Sequence, residues 1–325
     1  MRRVLVLGGT GWLGHRIAAA AVAEGAEVVC LARGESGAVP EGARLITADR
    51  REPGAYTGAS GEWDEVVEIA YAPELVKPAL EALAPRAAHW TLVSTISVYA
   101  SDDEPGADES AALVEPTDPS AYADAKVMAE QASTSHVGDR LLIARAGLIV
   151  GPGDGSDRFG YWPARLDRGG AVIVPTQAGR HVQVIDVDDL AEWIELAGRE
   201  RALGAVNATG DSHSMSVFFE TAVKATGFDG DLVTIDDETL LAHGVSYWAG
   251  PRSLPLWLPA DATGFARRSN AAFRATGGTL RPLEETLART LADEHARGID
   301  RPRRAGLAAE DEAAIVAALA RRAQG

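Results

Sequence analysis

The stretch Arg3-Val4-Leu5-Val6-Leu7-Gly8-Gly9-Thr10-Gly11-Trp12-Leu13-Gly14 decides the fold. Residues 3–7 read as a short buried strand, and 12–24 as a helix that Gly25 ends. Glycines stand between and within them at 8, 11 and 14. A strand-to-helix turn of this kind needs open backbone angles. It also lets dinucleotide phosphates approach the main chain, where the helix start offers N–H groups and a partial positive charge. A glycine triplet alone is weak evidence. This one follows the first strand directly and opens a helix, which is the context the chemistry requires. Gly8, Thr10, Gly11, Trp12, Leu13 and Gly14 are therefore expected to hold a nucleotide cofactor.

Outward from this turn, β-branched runs alternate with helical patterns. Strands are expected at 27–32, 44–48, 65–70, 89–94 and 141–145, with a helix at 73–84. A third helix is expected from Asp118, as N-cap with Pro119 in the first helical position, to about residue 133. Apolar strands alternating with helices imply a parallel sheet covered on both faces. After about residue 150 the pattern weakens. A strand at 182–185, a helix at 187–199 and a strand at 205–208 are followed by helices near 214–226, 236–243, 269–275 and 282–297. A last amphipathic helix, 308–322, carries Ile315, Val316 and Leu319 on one side and reads as docked or as an oligomer contact. The expected fold class is α/β: a Rossmann-type doubly wound parallel sheet over 1–155 and 181–210, with a smaller, interwoven α+β substrate-binding subdomain over 156–180 and 211–325.

Composition sets outer bounds. The chain has 325 residues, 46% hydrophobic and 24% charged, which excludes wholesale disorder. Its net charge of -16, from 31 basic and 47 acidic side chains, argues against nucleic acid or an anionic membrane as partner. One cysteine, Cys30, excludes a disulfide framework. The seven histidines never fall three to five residues apart, so no metal is expected. No apolar run reaches the length of a membrane span, and the run after Arg2 and Arg3 is too short for a secretory signal, so a cytoplasmic location is expected. The absence of a G-x-S-x-G elbow disfavours a serine hydrolase.

The second strand ends in Leu31-Ala32-Arg33-Gly34. An NAD-binding sheet usually carries an acid there for the ribose 2′-hydroxyl, whereas a guanidinium suits a 2′-phosphate. Arg33 therefore points to NADP, with NAD kept open by Glu35. Asp49, after the third strand, can accept from the adenine amino group or cap a turn. Ala70, ending the fourth strand, is counted with the cofactor residues.

Tyr122-Ala123-Asp124-Ala125-Lys126 puts a phenol and an ammonium one helical turn apart on one face. A phenol is a poor acid–base catalyst at neutral pH, and a neighbouring cation favours its ionised form. With three lysines and six tyrosines in the chain, the pattern is more specific than it looks. The fifth strand runs into Ser94-Thr95-Ile96-Ser97-Val98-Tyr99, at the sheet edge where open α/β sheets bind ligands. Thr95 is the preferred hydroxyl for a substrate oxygen, with Ser94 its rival.

These segments, in this order and at these separations, resemble the extended short-chain dehydrogenase/reductases, the NAD-dependent epimerase/dehydratase family. Arg145-Ala146-Gly147-Leu148-Ile149-Val150-Gly151-Pro152-Gly153 and Val184-Ile185-Asp186-Val187-Asp188-Asp189-Leu190-Ala191 resemble later segments of that family. The resemblance covers roughly residues 1 to 210. It implies Tyr122 as catalytic acid/base, Lys126 as tuner of the phenol and contact to the nicotinamide ribose, and Thr95 in the family's Ser/Thr position. Two departures stand out. Ala146 occupies a place where many members have proline, and the second strand lacks the acid typical of NAD-using sugar-nucleotide epimerases.

Past the sixth strand, Arg158, Tyr161, Trp162 and Arg165 mix cations with aromatics. Together with Ser97 they are the expected substrate contacts, Arg158 and Arg165 for an anion and Tyr161 or Trp162 for a ring. His181 and Gln183 are weaker candidates. Tyr247, Trp248 and Trp257 read as a packed loop. The leading expectation is an NAD(P)-dependent oxidoreductase that moves hydride between nicotinamide and a carbonyl or alcohol of a small molecule, as a monomer or homodimer. The alternatives are an NDP-sugar epimerase or dehydratase with retained NAD, and a non-catalytic cofactor-sensing protein, which would not need Tyr122 and Lys126 together.

Overall fold

Along β1 (Arg3–Leu7) Val4 and Val6 enter one apolar cluster and Leu5 and Leu7 another. That period-2 division is what a strand buried on both faces must show. The structure is a computed structural model that describes residues 1–322. After β1 come α1 (Trp12–Ala23), β2 (Glu27–Ala32), β3 (Ala43–Thr47), β4 (Glu65–Glu68), α2 (Pro73–Leu83), β5 (Trp90–Thr95), α3 (Tyr122–Val137) and β6 (Leu141–Ala146). With the strand Gly204–Ala208 they form a seven-stranded parallel sheet in the order Gly204–Ala208, β6, β5, β4, β1, β2, β3. One cluster packs α1 and the helix Val187–Arg199 onto the sheet through Ile17, Ala21, Leu190 and Ile194; the other packs α2 and α3 through Val76, Leu80, Leu83 and Ala129. This is the Rossmann-like α/β architecture.

The described chain divides into two compact units: Met1–Ile149, Ile185–Asp211 and Arg268–Leu280 in the first, and Val150–Val184, Ser212–Arg267 and residues 281–322 in the second. The segment Arg268–Leu280 departs from expectation by joining the first unit. Its helix Ala271–Ala275 puts Phe273, fully buried, 5.2 Å from the ring of Trp193, and Ser269 accepts from Asn207 Nδ2. These contacts join residues far apart in the chain, and no local pattern shows them.

The second unit holds strands at Ala171–Pro175 and Asp231–Ile235, paired in parallel, which sequence periodicity does not reveal. Its helix Arg158–Asp167 is buried over most of its length, and the final helix Ala309–Arg322 docks Glu312 and Ile315 into the same unit. Among the described residues no helix is long and apolar enough to cross a membrane, and no group of His, Cys, Asp or Glu suits a metal.

Candidate active site

Gly8 takes φ +101°, a conformation that L side chains rarely adopt, and receives the Gly11 N–H at 3.0 Å. A Cβ on Gly14 would stand 2.3 Å from the Gly8 carbonyl oxygen, so the helix closes onto the turn only with glycine there. Gly11 caps α1 without a side-chain acceptor, and no acid occupies the first helical turn. Such a helix start is suited to a phosphate. The turn opens on a crevice of about 440 Å³ lined by Gly8, Thr10, Gly11, Arg33, Asp49 and Ala70, among others. The size fits a small-molecule or cofactor site. Leu13 instead joins the core with Trp12 packed against it, and Gly14 makes the close approach to Gly8; none of these three lines the crevice. A groove of about 580 Å³ along α1 and Val187–Arg199 holds none of the expected cofactor, catalytic or substrate residues.

At the outer end of the crevice Arg33 pairs with Glu35 at 2.9 Å, both side chains more than half exposed. An exposed pair of this kind is worth little and exchanges readily for another anion. Asp49 accepts the Arg51 N–H and so shapes its own turn while lining the crevice. The lining also holds Arg50, which sequence reasoning missed along with its partner Glu68 behind it. Arg50 and Glu68, both buried, form a bidentate ion pair, and Arg50 also donates to Leu75 O and to Tyr56 Oη. The available signal was a charge in an otherwise apolar strand, Val66-Val67-Glu68-Ile69.

Helix α3 begins at Tyr122, not at Asp118. Asp118 accepts instead from Ser120, forming a turn through Pro119, while Asp124 reaches back to the N–H groups of Thr117 and Asp118. Those backbone donors hold the Asp124 carboxyl below its usual range. The later start places Tyr122 in the first turn, 48% exposed, and Lys126 one turn on, buried. Lys126 Nζ donates to Val93 O at 2.7 Å and lies 6.0 Å from the Tyr122 ring centre. Burial pushes the Lys126 ammonium down to about 8, against the opposing pull of the Glu68 and Glu130 carboxylates.

The two hydroxyls at the end of β5 face different partners. Ser94 Oγ donates to Glu130 Oε1 at 2.5 Å inside a buried network, in which Arg145 clamps Glu130 and reaches Tyr99 Oη. Thr95, the last residue of β5, instead accepts the Ser97 N–H at the start of the short helix Ile96–Val98 and stands 3.3 Å from Ser97 Oγ. Ala146 continues β6 as the register partner of both Thr95 and Ala208, so alanine keeps the strand regular there.

Three of the four residues of the second unit expected to contact substrate are buried. Tyr161 and Trp162 are 1% exposed. Their rings meet edge to face at 4.9 Å, and Trp162 Nε1 donates to Pro255 O. Arg165 is buried, with Glu312, Gly169 O and Ala171 O as its acceptors. All three hold the unit together; none offers an open face. Arg158 lies over the Trp248 ring and donates to Ser156 Oγ. Gln183 is buried and His181 partly so. Tyr247 and Trp257 pack at 3.9 Å, and both donate to Asp237.

In comparisons with known proteins, the model of the NAD dependent epimerase/dehydratase family matches residues 4–208. No curated protein matches the chain by sequence. Among solved structures, a protein from Burkholderia cenocepacia J2315 superposes with a TM-score of 0.69 at 20% identity, covering 91% of this chain and 98% of its own. UDP-glucuronic acid 4-epimerase from Bacillus cereus, solved with NAD, superposes at 0.67 and 15% identity, covering 91% and 99%. UDP-N-acetylglucosamine 4-epimerase from the same organism does so at 0.68 and 14%, covering 92% and 100%. The glycine turn, the parallel sheet and the match over most of the first unit together make this chain a member of the NAD-dependent epimerase/dehydratase family.

Proposed function

We propose that the chain is a nicotinamide-dependent oxidoreductase of the extended short-chain type, acting on a carbonyl or alcohol carbon of a small molecule. The observation that carries this is the Tyr122–Lys126 pair at the start of α3, in the same unit as the glycine-turn crevice. The crevice fits a dinucleotide: the Gly8–Gly14 approach leaves backbone at its surface, α1 begins without a side-chain cap, and Arg33 stands at the rim. Bound there, a nicotinamide dinucleotide supplies the hydride acceptor or donor. Tyr122 gives or takes the proton at the reacting oxygen, Lys126 holds positive charge beside the phenol, and Thr95 Oγ1 with Ser97 Oγ orients that oxygen. Arg33, in place of an acid, favours NADP; the exposed Glu35 leaves NAD as the second choice.

A second reading keeps the site and changes the outcome. Family membership and the NAD-bound UDP-glucuronic acid 4-epimerase likeness favour a sugar-nucleotide epimerase or dehydratase, in which one sugar carbon is oxidised and reduced again with no net cofactor use. Mass spectrometry of the purified protein separates the two. Retained NAD with interconversion of UDP-sugars favours the second, and stoichiometric loss of NADPH absorbance on adding a carbonyl favours the first. In either assay Tyr122→Phe is expected to keep dinucleotide binding and lose at least about 100-fold in turnover. Undiminished turnover would overturn both readings.

A further inference from the structure

Tyr71, in the loop between β4 and α2, both lines the dinucleotide crevice and touches the acid–base pair. Its ring meets that of Tyr122 edge to face, 5.2 Å between centres and 84° between planes. Lys126 Nζ lies 5.0 Å from the Tyr71 ring centre, closer than to Tyr122. An ammonium has three N–H donors. Val93 O takes one of them, and the Tyr71 ring lies over the group. Lys126 is 4% exposed, although Tyr122 and Tyr71 beside it are 48% and 40% exposed. The ammonium is thus sheltered at an otherwise open edge.

We infer that Tyr71 is a positioning residue for this pair: its ring covers the Lys126 ammonium against water and braces the Tyr122 ring edge-on. The inference rests on the reading of Tyr122 and Lys126 as the working pair. Two effects of the ring oppose each other. Attraction between the cation and the aromatic face favours the charged form, while exclusion of water disfavours it. Burial is the largest influence on Lys126, so water exclusion prevails. The charged groups around it leave room for this. Glu68 on β4 and Glu130 on α3 favour the ammonium, yet each is already paired, with Arg50 and with Arg145. The other near neighbours are the Tyr122 phenol and the Val93 carbonyl.

The chain has three lysines, Lys77, Lys126 and Lys224, so full-length protein carrying 13C-labelled lysine gives three side-chain signals whose pH titrations can be followed separately. Lys126→Met assigns the middle one. In the wild type that signal is expected to titrate near 8, below the ordinary lysine value of about 10.4. Tyr71→Ala is expected to raise it by about one unit or more as water reaches the amine. Tyr71→Phe keeps the ring and should leave it in place. Since Tyr71 is 40% exposed, truncation opens no core cavity, and unchanged Lys77 and Lys224 signals verify the fold. An unmoved midpoint in Tyr71→Ala would sink the inference, as would an equal shift in Tyr71→Phe. Turnover of Tyr122→Phe, measured alongside, tests the underlying reading separately: full turnover there with a shifted Lys126 would leave the cover in place and remove its catalytic purpose.

Discussion

Two helices of this chain carry a tyrosine followed four residues later by a cation: Tyr122 and Lys126 in α3, and Tyr161 and Arg165 in Arg158–Asp167. The spacing is the same and the environments are opposite. Tyr122 is 48% exposed beside a crevice at the carboxyl edge of a parallel sheet; Tyr161 is 1% exposed and packed on Trp162. Lys126 finds one main-chain acceptor, whereas Arg165 is held by a carboxylate and two carbonyls. The difference teaches that helical spacing brings two side chains together, and that what surrounds them decides whether they stay open beside a crevice or pack into a core.

Substitutions can break or sharpen that contrast. The largest effect is expected at Tyr122→Phe, about 100- to 10,000-fold on turnover with little change in the thermal midpoint, because the side chain is half exposed. In the other helix the effect should move to stability. Trp162→Ala empties a fully buried site and should cost about 3–5 kcal/mol by urea unfolding, with loss of the Pro255 hydrogen bond. Arg165→Met leaves Glu312 buried without its guanidinium, and about 3 kcal/mol is expected in the same assay. A loss under 1 kcal/mol in both variants would return this helix to the list of substrate contacts. At the crevice rim, Arg33→Gln should weaken NADPH about 10-fold in fluorescence titration and leave NADH nearly unchanged. Equal losses for both would assign Arg33 to the adenosine rather than to a 2′-phosphate.

A further effect is on pH-dependent stability. Lys126 is pushed down to about 8 from 10.5, so between these values the unfolded chain binds more protons than the folded one. The Lys126 contribution to stability therefore rises with pH across that window, by at most about 1.4 kcal/mol per unit. Lys126→Met should lack this rise when unfolding curves at pH 8 and pH 10 are compared with those of the wild type. Parallel curves for the two proteins would mean that the ammonium is better hydrated than its burial implies.

Much of the first unit was legible because its signals are local. Alternation of Val4 and Val6 with Leu5 and Leu7, the glycine turn and the Tyr122–Lys126 spacing each fit within one element and its neighbour. The start of α3 was misplaced because Asp118 and Pro119 form an equally good turn, and Asp124, six residues on, takes up the N–H groups that a helix would have left open. The Arg50–Glu68 pair, the Ser94–Glu130–Arg145 network and the contact of Tyr71 with Lys126 join residues from different elements. Nothing in their spacing announces them.

The amino-acid sequence by itself determined the parallel sheet, the glycine turn and the placing of Tyr122 and Lys126 one helical turn apart, since strand periodicity, glycine backbone freedom and helical spacing are properties of short segments. Only the tertiary structure decided that Ser94 is bound to Glu130 while Thr95 bonds Ser97, that Tyr161, Trp162 and Arg165 are core, and that Tyr71 covers Lys126. Those outcomes depend on which groups lose water together, and desolvation is set by neighbours that lie far away along the chain.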